Sequence, residues 1–217
     1  MINVYIIKTE SLCKGDFFKL ADELPFGDTE RSRLMAIKSS EHKWESLGGL
    51  VALWRLLCKQ GLEVRTIART SDGKPYFEGD GAPPFSISHS RGYAAAAVGS
   101  VIGDSLGLDI ERADVSYDYS RLAERFFSEQ ERKALKESDF SPEKFFELWT
   151  AKEAHAKKSG RGLALILSEG KNATDGFVSG FRITAGEHCL IGSVCCDAPR
   201  QTVNIFIDGE DTDELQN

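Results

Sequence analysis

The sequence predicts an α/β (α+β) protein of two similar halves, each of about a hundred residues. Two observations carry this. The order strand, helices, strands occurs twice along the 217 residues. Each half also holds one long stretch with helical apolar periodicity, Glu41–Gln60 and Ser141–Gly160, among short alternating runs that read as strands. The halves are 1–105 and 106–207, followed by a polar acidic tail, 208–217, whose composition predicts disorder.

In chain order, Ile2–Ile7 (INVYII) alternates like an opening strand, and Ser11–Ala21 reads as a short helix. Asp28–Lys38 reads as a helix capped by Asp28. In the long helix, Trp44, Leu47, Val51, Trp54 and Cys58 recur at helical spacing, and Gly61 ends it. Val64–Ala68 is a candidate strand, and Ser71–Pro75 is a turn. Phe85–Ser90 (FSISHS) alternates, Arg91-Gly92 turns the chain, and Tyr93–Val98 returns as a strand of small residues.

The second half opens on a strand at Leu106–Ile110, ending in Glu111. Arg121–Phe127 is amphipathic, and Ser128-Glu129-Gln130-Glu131 is a capping-box signature for a helix to about Glu137. The long helix has Ser141 as N-cap, Pro142 in the first turn and Gly160 at its stop, with Phe145, Leu148, Trp149, Lys152 and Ala156 sharing one face. From Leu163 to Ile207 the runs FRIT, HCLIGSVCC and TVNIFI read as strands.

Composition bounds the function. Apolar content of 41% and charged content of 28% describe an ordinary globular chain, and a net charge of −7 argues against nucleic acid as a main partner. The five cysteines, Cys13, Cys58, Cys189, Cys195 and Cys196, include no CxxC pair and no metal-ligand spacing, which suits reduced thiols in a reducing compartment. The start, MINVYIIKTE, lacks the pattern of a signal peptide, and the longest apolar stretch, Leu47–Cys58, is interrupted by Arg55. The expectation is a soluble, cytoplasmic protein without a membrane span.

Three clusters carry chemistry. Asp109 and Glu111 stand two apart on a strand, so both carboxylates face one side. Such a pair repels, and a hard cation such as Mg²⁺ relieves the conflict while keeping positions for phosphate oxygens. Glu153 and Lys157 stack four apart on the long helix, with Lys152 beside them. Taken alone, this is an ordinary surface ion pair, and D-x-E is an ordinary strand end. Ser86, Ser88, His89, Ser90 and Arg91 gather hydroxyls, an imidazole and a guanidinium near a turn, a composition suited to phosphate oxygens, and Lys74 adds a point charge.

FSISHS, GLDIE and WTAKEAHAK, in this order and spacing, resemble the signature blocks of the 4′-phosphopantetheinyl transferases, in particular the larger surfactin-synthetase-type members. That family's pattern is G-[ILV]-D, then about forty residues later W-[SAT]-x-K-E-[AS]-x-x-K, and Asp109 and Lys152-Glu153 match it. GKPYF and RFFSEQE match as well, so the resemblance runs from about Gly73 to Gly162. It implies two pseudo-symmetric α/β halves in one chain, so that a monomer suffices, with coenzyme A in the cleft between them. It implies Mg²⁺ on Asp109, Glu111 and Glu153. Glu153 and Lys157 are then the catalytic residues, and Lys74, Ser88, His89 and Lys152 contact coenzyme A.

The implied reaction moves 4′-phosphopantetheine from coenzyme A to a serine of an acyl- or peptidyl-carrier protein. One departure stands out: Glu45 occupies the place of a family arginine near the start of the first long helix. A coenzyme A-binding regulatory homologue without turnover is the alternative, and a metal-dependent phosphohydrolase a third reading.

Overall fold

The structure, a computed structural model, describes residues 1–113, 119–162 and 175–209. Its first sheet has the order β4-β5-β1-β9, where β1 is Ile2–Lys8, β4 Phe85–Ser90, β5 Tyr93–Gly99 and β9 Val203–Ile207. The second sheet has the order β6-β8-β7, from Leu106–Arg112, His188–Cys196 and Phe177–Ala185 respectively. One long helix lies on each: α3 (Ser40–Gln60) on the first and α6 (Pro142–Ser159) on the second. The protein is mixed α/β, as the sequence predicts.

Both long helices begin and end where their caps dictate. Ser39 Oγ accepts the His42 amide ahead of α3, and Ser141 Oγ accepts the Lys144 amide ahead of α6. Gly61 and Gly160, at φ +62° and +72°, close them in the left-handed conformation. The capping box on α5 (Glu129–Glu137) is complete, with Ser128 and Glu131 each bonding the other's backbone amide.

β5 is the hinge of the core. Its residues are buried throughout, and the alternation of its side chains splits them between two layers. Ala94, Ala96 and Val98 join the α3 core with Leu50, Leu53 and Leu57, while Tyr93, Ala95 and Ala97 join Leu106, Leu108 and Ile110 of β6. Small side chains let both layers approach. At Gly49 a Cβ would stand 2.4 Å from Ile87 Cγ2, and at Gly107 a Cβ would stand 1.9 Å from the Ala154 carbonyl oxygen. A third cluster of Phe127, Phe145, Phe146 and Leu135, with Trp149 packed against it, holds α6 to α5 and to α4 (Tyr119–Phe126). Each fully buried aromatic there contributes about 2–3 kcal/mol.

Several local expectations are corrected. The helix expected at Ser11–Ala21 divides into a 3₁₀ turn at Thr9–Ser11 and α1 at Phe17–Glu23, because Asp16 caps the Phe18 and Lys19 amides and so starts the helix later. Gly27, not Asp28, is the N-cap of α2 (Asp28–Ala36). The strand expected at Val64–Ala68 is β2, Ile67–Arg69, paired with an unforeseen β3 at Pro75–Phe77. β9 closes the second half in sequence, yet it pairs in parallel with β1 of the first, from Ile2↔Val203 to Ile6↔Ile207. The tail from residue 210 and the start of the expected strand region, residues 163–174, lie outside the described residues. Among the described residues no helix is long and apolar enough to cross a membrane.

Candidate functional site

The site lies where β4, β6 and α6 meet. Residues 85–90 and 93–99 form a tight hairpin whose two turn residues, Arg91 at φ +46° and Gly92 at +86°, match the twist of the strands. Strand alternation sends Ser86, Ser88 and Ser90 toward β6, where all three are buried. His89 faces the other way, to α3, with Nδ1 3.1 Å from Glu45 Oε2.

Asp109 and Glu111 come from β6, and Glu153 and Lys157 from α6. The absence of a Cβ at Gly107 brings the helix backbone against the strand at Ala154 and Lys158, which sets Glu153 and Lys157 over the carboxylate pair. Lys157 Nζ donates to Asp109 Oδ1 and to Ser88 Oγ, both at 2.7 Å. Ser88 Oγ donates to the same Asp109 oxygen at 2.9 Å, and Ser90 Oγ donates to Glu111 Oε2 at 2.5 Å. Asp109 Oδ2 is buried and has no hydrogen-bond partner among the described residues.

These carboxylates perturb one another. Burial, then the Asp109 charge and, more weakly, Glu111 push Glu153 up to about 7, with Lys157 opposing. Burial and Asp109 also raise Glu111, while the Ser90 hydrogen bond and Lys157 oppose. The groups therefore lie within electrostatic reach of each other. Among the described residues no three His, Cys, Asp or Glu side chains already form a metal-holding cluster. Here the Lys157 ammonium supplies the positive charge at Asp109.

A cleft of about 260 Å³ opens beside this group, lined by Lys74, Pro75, Phe85, Ile87, Glu153 and Lys157 among others. Lys74 reaches across it to donate to the Lys158 carbonyl at the end of α6, and burial, with the nearby Lys158 charge, lowers its pKa. Of the expected residues, Lys74, Glu153 and Lys157 line the cleft, Ser88, Asp109 and Glu111 belong to the hydrogen-bonded group beside it, and two stand apart from both. Lys152 pairs with Glu131 at 2.9 Å on the α5 side of the helix. His89 sits with Glu45 across β4.

Glu45 is the residue whose environment sequence reasoning missed. It is buried, accepts the Gly92 amide at 3.0 Å and pairs with His89. Burial pushes its carboxyl up, but the hydrogen bonds from His89 and Gly92 outweigh this and hold it below the ordinary range. The only sequence signal was the acid at a place where the family resemblance implies a base.

With the carboxylate-and-lysine group at the meeting of β4, β6 and α6 described, comparison with known proteins gives the family. The family model of the 4′-phosphopantetheinyl transferase superfamily matches residues 105–183. A Bacillus subtilis protein named 4′-phosphopantetheinyl transferase ffp is 37% identical over 162 residues, covering 66% of this chain and 69% of that protein. The chain belongs to the 4′-phosphopantetheinyl transferase superfamily. A Synechocystis protein named putative 4′-phosphopantetheinyl transferase is 34% identical over 85 residues, 38% of this chain and 34% of that protein. A second Bacillus subtilis 4′-phosphopantetheinyl transferase is 37% identical over 97 residues, 44% of this chain and 41% of that protein. In these last two relatives the chain thus spans about a third to two fifths of the length.

Proposed function

We propose that this chain transfers the 4′-phosphopantetheine group of coenzyme A to a serine of an acyl- or peptidyl-carrier protein, with Mg²⁺ as the metal. The observation that carries this reading is the juxtaposition of Asp109, Glu111, Glu153 and Lys157 at one end of a cleft whose other wall holds Lys74. The transferase names of the relatives support it and do not favour the non-catalytic alternative.

The donor chemistry, three carboxylates, is of the kind a hard divalent cation takes. Asp109 Oδ2 is a buried oxygen with no partner among the described residues, and Glu111 and Glu153 are carboxylates whose charge is opposed by burial and by their neighbours. Asp109, Glu111 and Glu153 would hold it. Bound there, Mg²⁺ would supply Lewis-acid chemistry and offset phosphate charge.

The chain's own groups do the rest. Lys74 and Lys157 flank the cleft as cations for the pyrophosphate, and Phe85 and Ile87 give it an apolar wall. The carrier serine oxygen forms a bond to the β-phosphorus, and the bond to the departing adenosine 3′,5′-bisphosphate breaks. Glu153 accepts the serine proton, directly or through water. Lys157 stabilises the leaving phosphate. Ser88 orients Lys157 and Asp109 together through the hydrogen bonds it makes to both. His89 and Lys152 are assigned to coenzyme A contacts outside the cleft lining. No residue becomes covalently modified, and Cys195, pushed up to about 11 by burial, takes no part.

One chain carries both walls of the cleft, so a monomer in the cytoplasm is the working form we infer. Mass spectrometry of a panel of apo-carrier proteins with coenzyme A and Mg²⁺ tests the reading. The expected result is a phosphopantetheine mass gain on a serine. Coenzyme A binding with no gain on any carrier overturns it in favour of the regulatory alternative.

A further inference from the structure

Among the described residues the two sheets are not joined by a backbone ladder. β6 pairs through its backbone with β8 on one edge, and its other edge faces β4 of the first sheet. The amides on that edge are satisfied by side chains instead. Leu108 N–H donates to Ser86 Oγ at 2.9 Å, Ile110 N–H to Ser88 Oγ at 3.2 Å, and Arg112 N–H to Ser90 Oγ at 3.4 Å. The offset is constant at 22 residues, so β4 and β6 run side by side in register, with serine hydroxyls standing where carbonyls would stand in a continuous sheet.

A carbonyl only accepts, whereas a hydroxyl also has one proton to give. Ser88 gives its proton to Asp109 and Ser90 gives its proton to Glu111. Each hydroxyl is thus pinned by the amide of one β6 residue and holds the carboxylate of the residue before it. The docking of the two halves and the aim of the acidic side chains are set by the same atoms.

We infer that Ser90 is a positioning residue for Glu111: its hydroxyl, fixed by the Arg112 amide, orients that carboxylate for a divalent cation. The inference rests on the transferase reading above. Ser90 is buried, lies outside the cleft lining and reaches Glu111 at 2.5 Å. Its role is to act through that carboxylate, as partners of metal ligands generally do.

The test uses the full chain, with Mn²⁺ as the probe, and follows binding by the loss of the free-ion electron paramagnetic resonance signal with and without coenzyme A. Ser90→Thr and Ser90→Val have nearly the same shape and differ in the hydroxyl. The Val variant is expected to bind Mn²⁺ about tenfold more weakly than the wild type, a typical effect of losing such a partner, and the Thr variant within about twofold of it. In the carrier assay the Val variant should need correspondingly more Mg²⁺, with the KM for the carrier little changed. Equal binding by the Thr and Val variants overturns the inference. Ser90→Ala, with its fold checked by circular dichroism, covers the case in which neither branched side chain fits, and wild-type affinity in a folded Ala variant also overturns it. Failure of the wild type to bind Mn²⁺ or to modify a carrier would instead strike the transferase reading, so the two failures are distinct.

Discussion

Replacing Glu153 by Gln should stabilise the metal-free protein and abolish its activity at once. The folded environment raises Glu153 from 4.5 to about 7, chiefly through burial and then through Asp109. A raised folded-state pKa means that folding takes up a proton between those two values. Stability therefore falls as pH rises through that window, and the penalty is complete above about 7. The rise corresponds to about 3 kcal/mol, and partial solvent exposure of the carboxyl reduces this to about 2 kcal/mol. Gln keeps the shape and removes the charge. Near pH 8, in chelator, the variant should melt roughly 4–8 °C above the wild type, given about 2–4 °C per kcal/mol for a chain of this size. Near pH 4 the two should melt together. The assay is thermal unfolding by circular dichroism across this pH range, with carrier modification measured in parallel. A variant less stable than the wild type near pH 8, or a difference that does not change with pH, would refute the electrostatic account of the site.

Other perturbations probe separate parts of the same argument. Lys157→Met removes the cation from buried Asp109 and should cost about 2–3 kcal/mol in chelator, measured by urea unfolding, with a loss of activity of about 10²–10³-fold. Gly107→Ala puts a Cβ 1.9 Å from the Ala154 oxygen and 2.4 Å from the Lys158 nitrogen, so α6 must move; a loss of more than about 4 kcal/mol is expected, seen as insoluble or unfolded protein. Glu30 is buried and bonds Arg69 twice, at 2.7 and 3.0 Å, and Arg33 at 2.9 Å. Glu30→Gln should cost about 3 kcal/mol by thermal melting while leaving turnover intact well below the transition. Burial pushes the Glu30 carboxyl up, yet the two arginines outweigh it and hold it below 4.5, so its contribution should persist above that pH and fade on acidification through the folded value.

Features governed by nearest neighbours were legible in the sequence. Ser141, Pro142 and Gly160 bound α6 because capping is chemistry within a few residues, and the Ser128–Glu131 box follows for the same reason. The Arg91-Gly92 hairpin is equally local. β3 was not legible, since three residues beside a turn become a strand only by pairing with β2. One face of α6 divides between two neighbours: Phe145 and Lys152 share the α5 side, as their spacing predicts, whereas Ala156 lines the cleft. For the candidate site, the residue types at Asp109, Glu111, Glu153 and Lys157 were visible, as was the period-two run of serines. That those serines spend their hydroxyls on β6 depends on the register between strands of different sheets, which no local pattern encodes.

The pairing of β9 with β1 bears on how the chain is made. β1 leaves the ribosome about two hundred residues ahead of the strand that completes its parallel edge. Until then the growing polypeptide carries an open apolar edge, the kind that recruits stray strands from other molecules. A cut near residue 105 would leave that edge permanently bare in one fragment and strand β9 in the other. Separate expression of the two pieces should yield aggregates, and mixing them during refolding should be needed to recover soluble material.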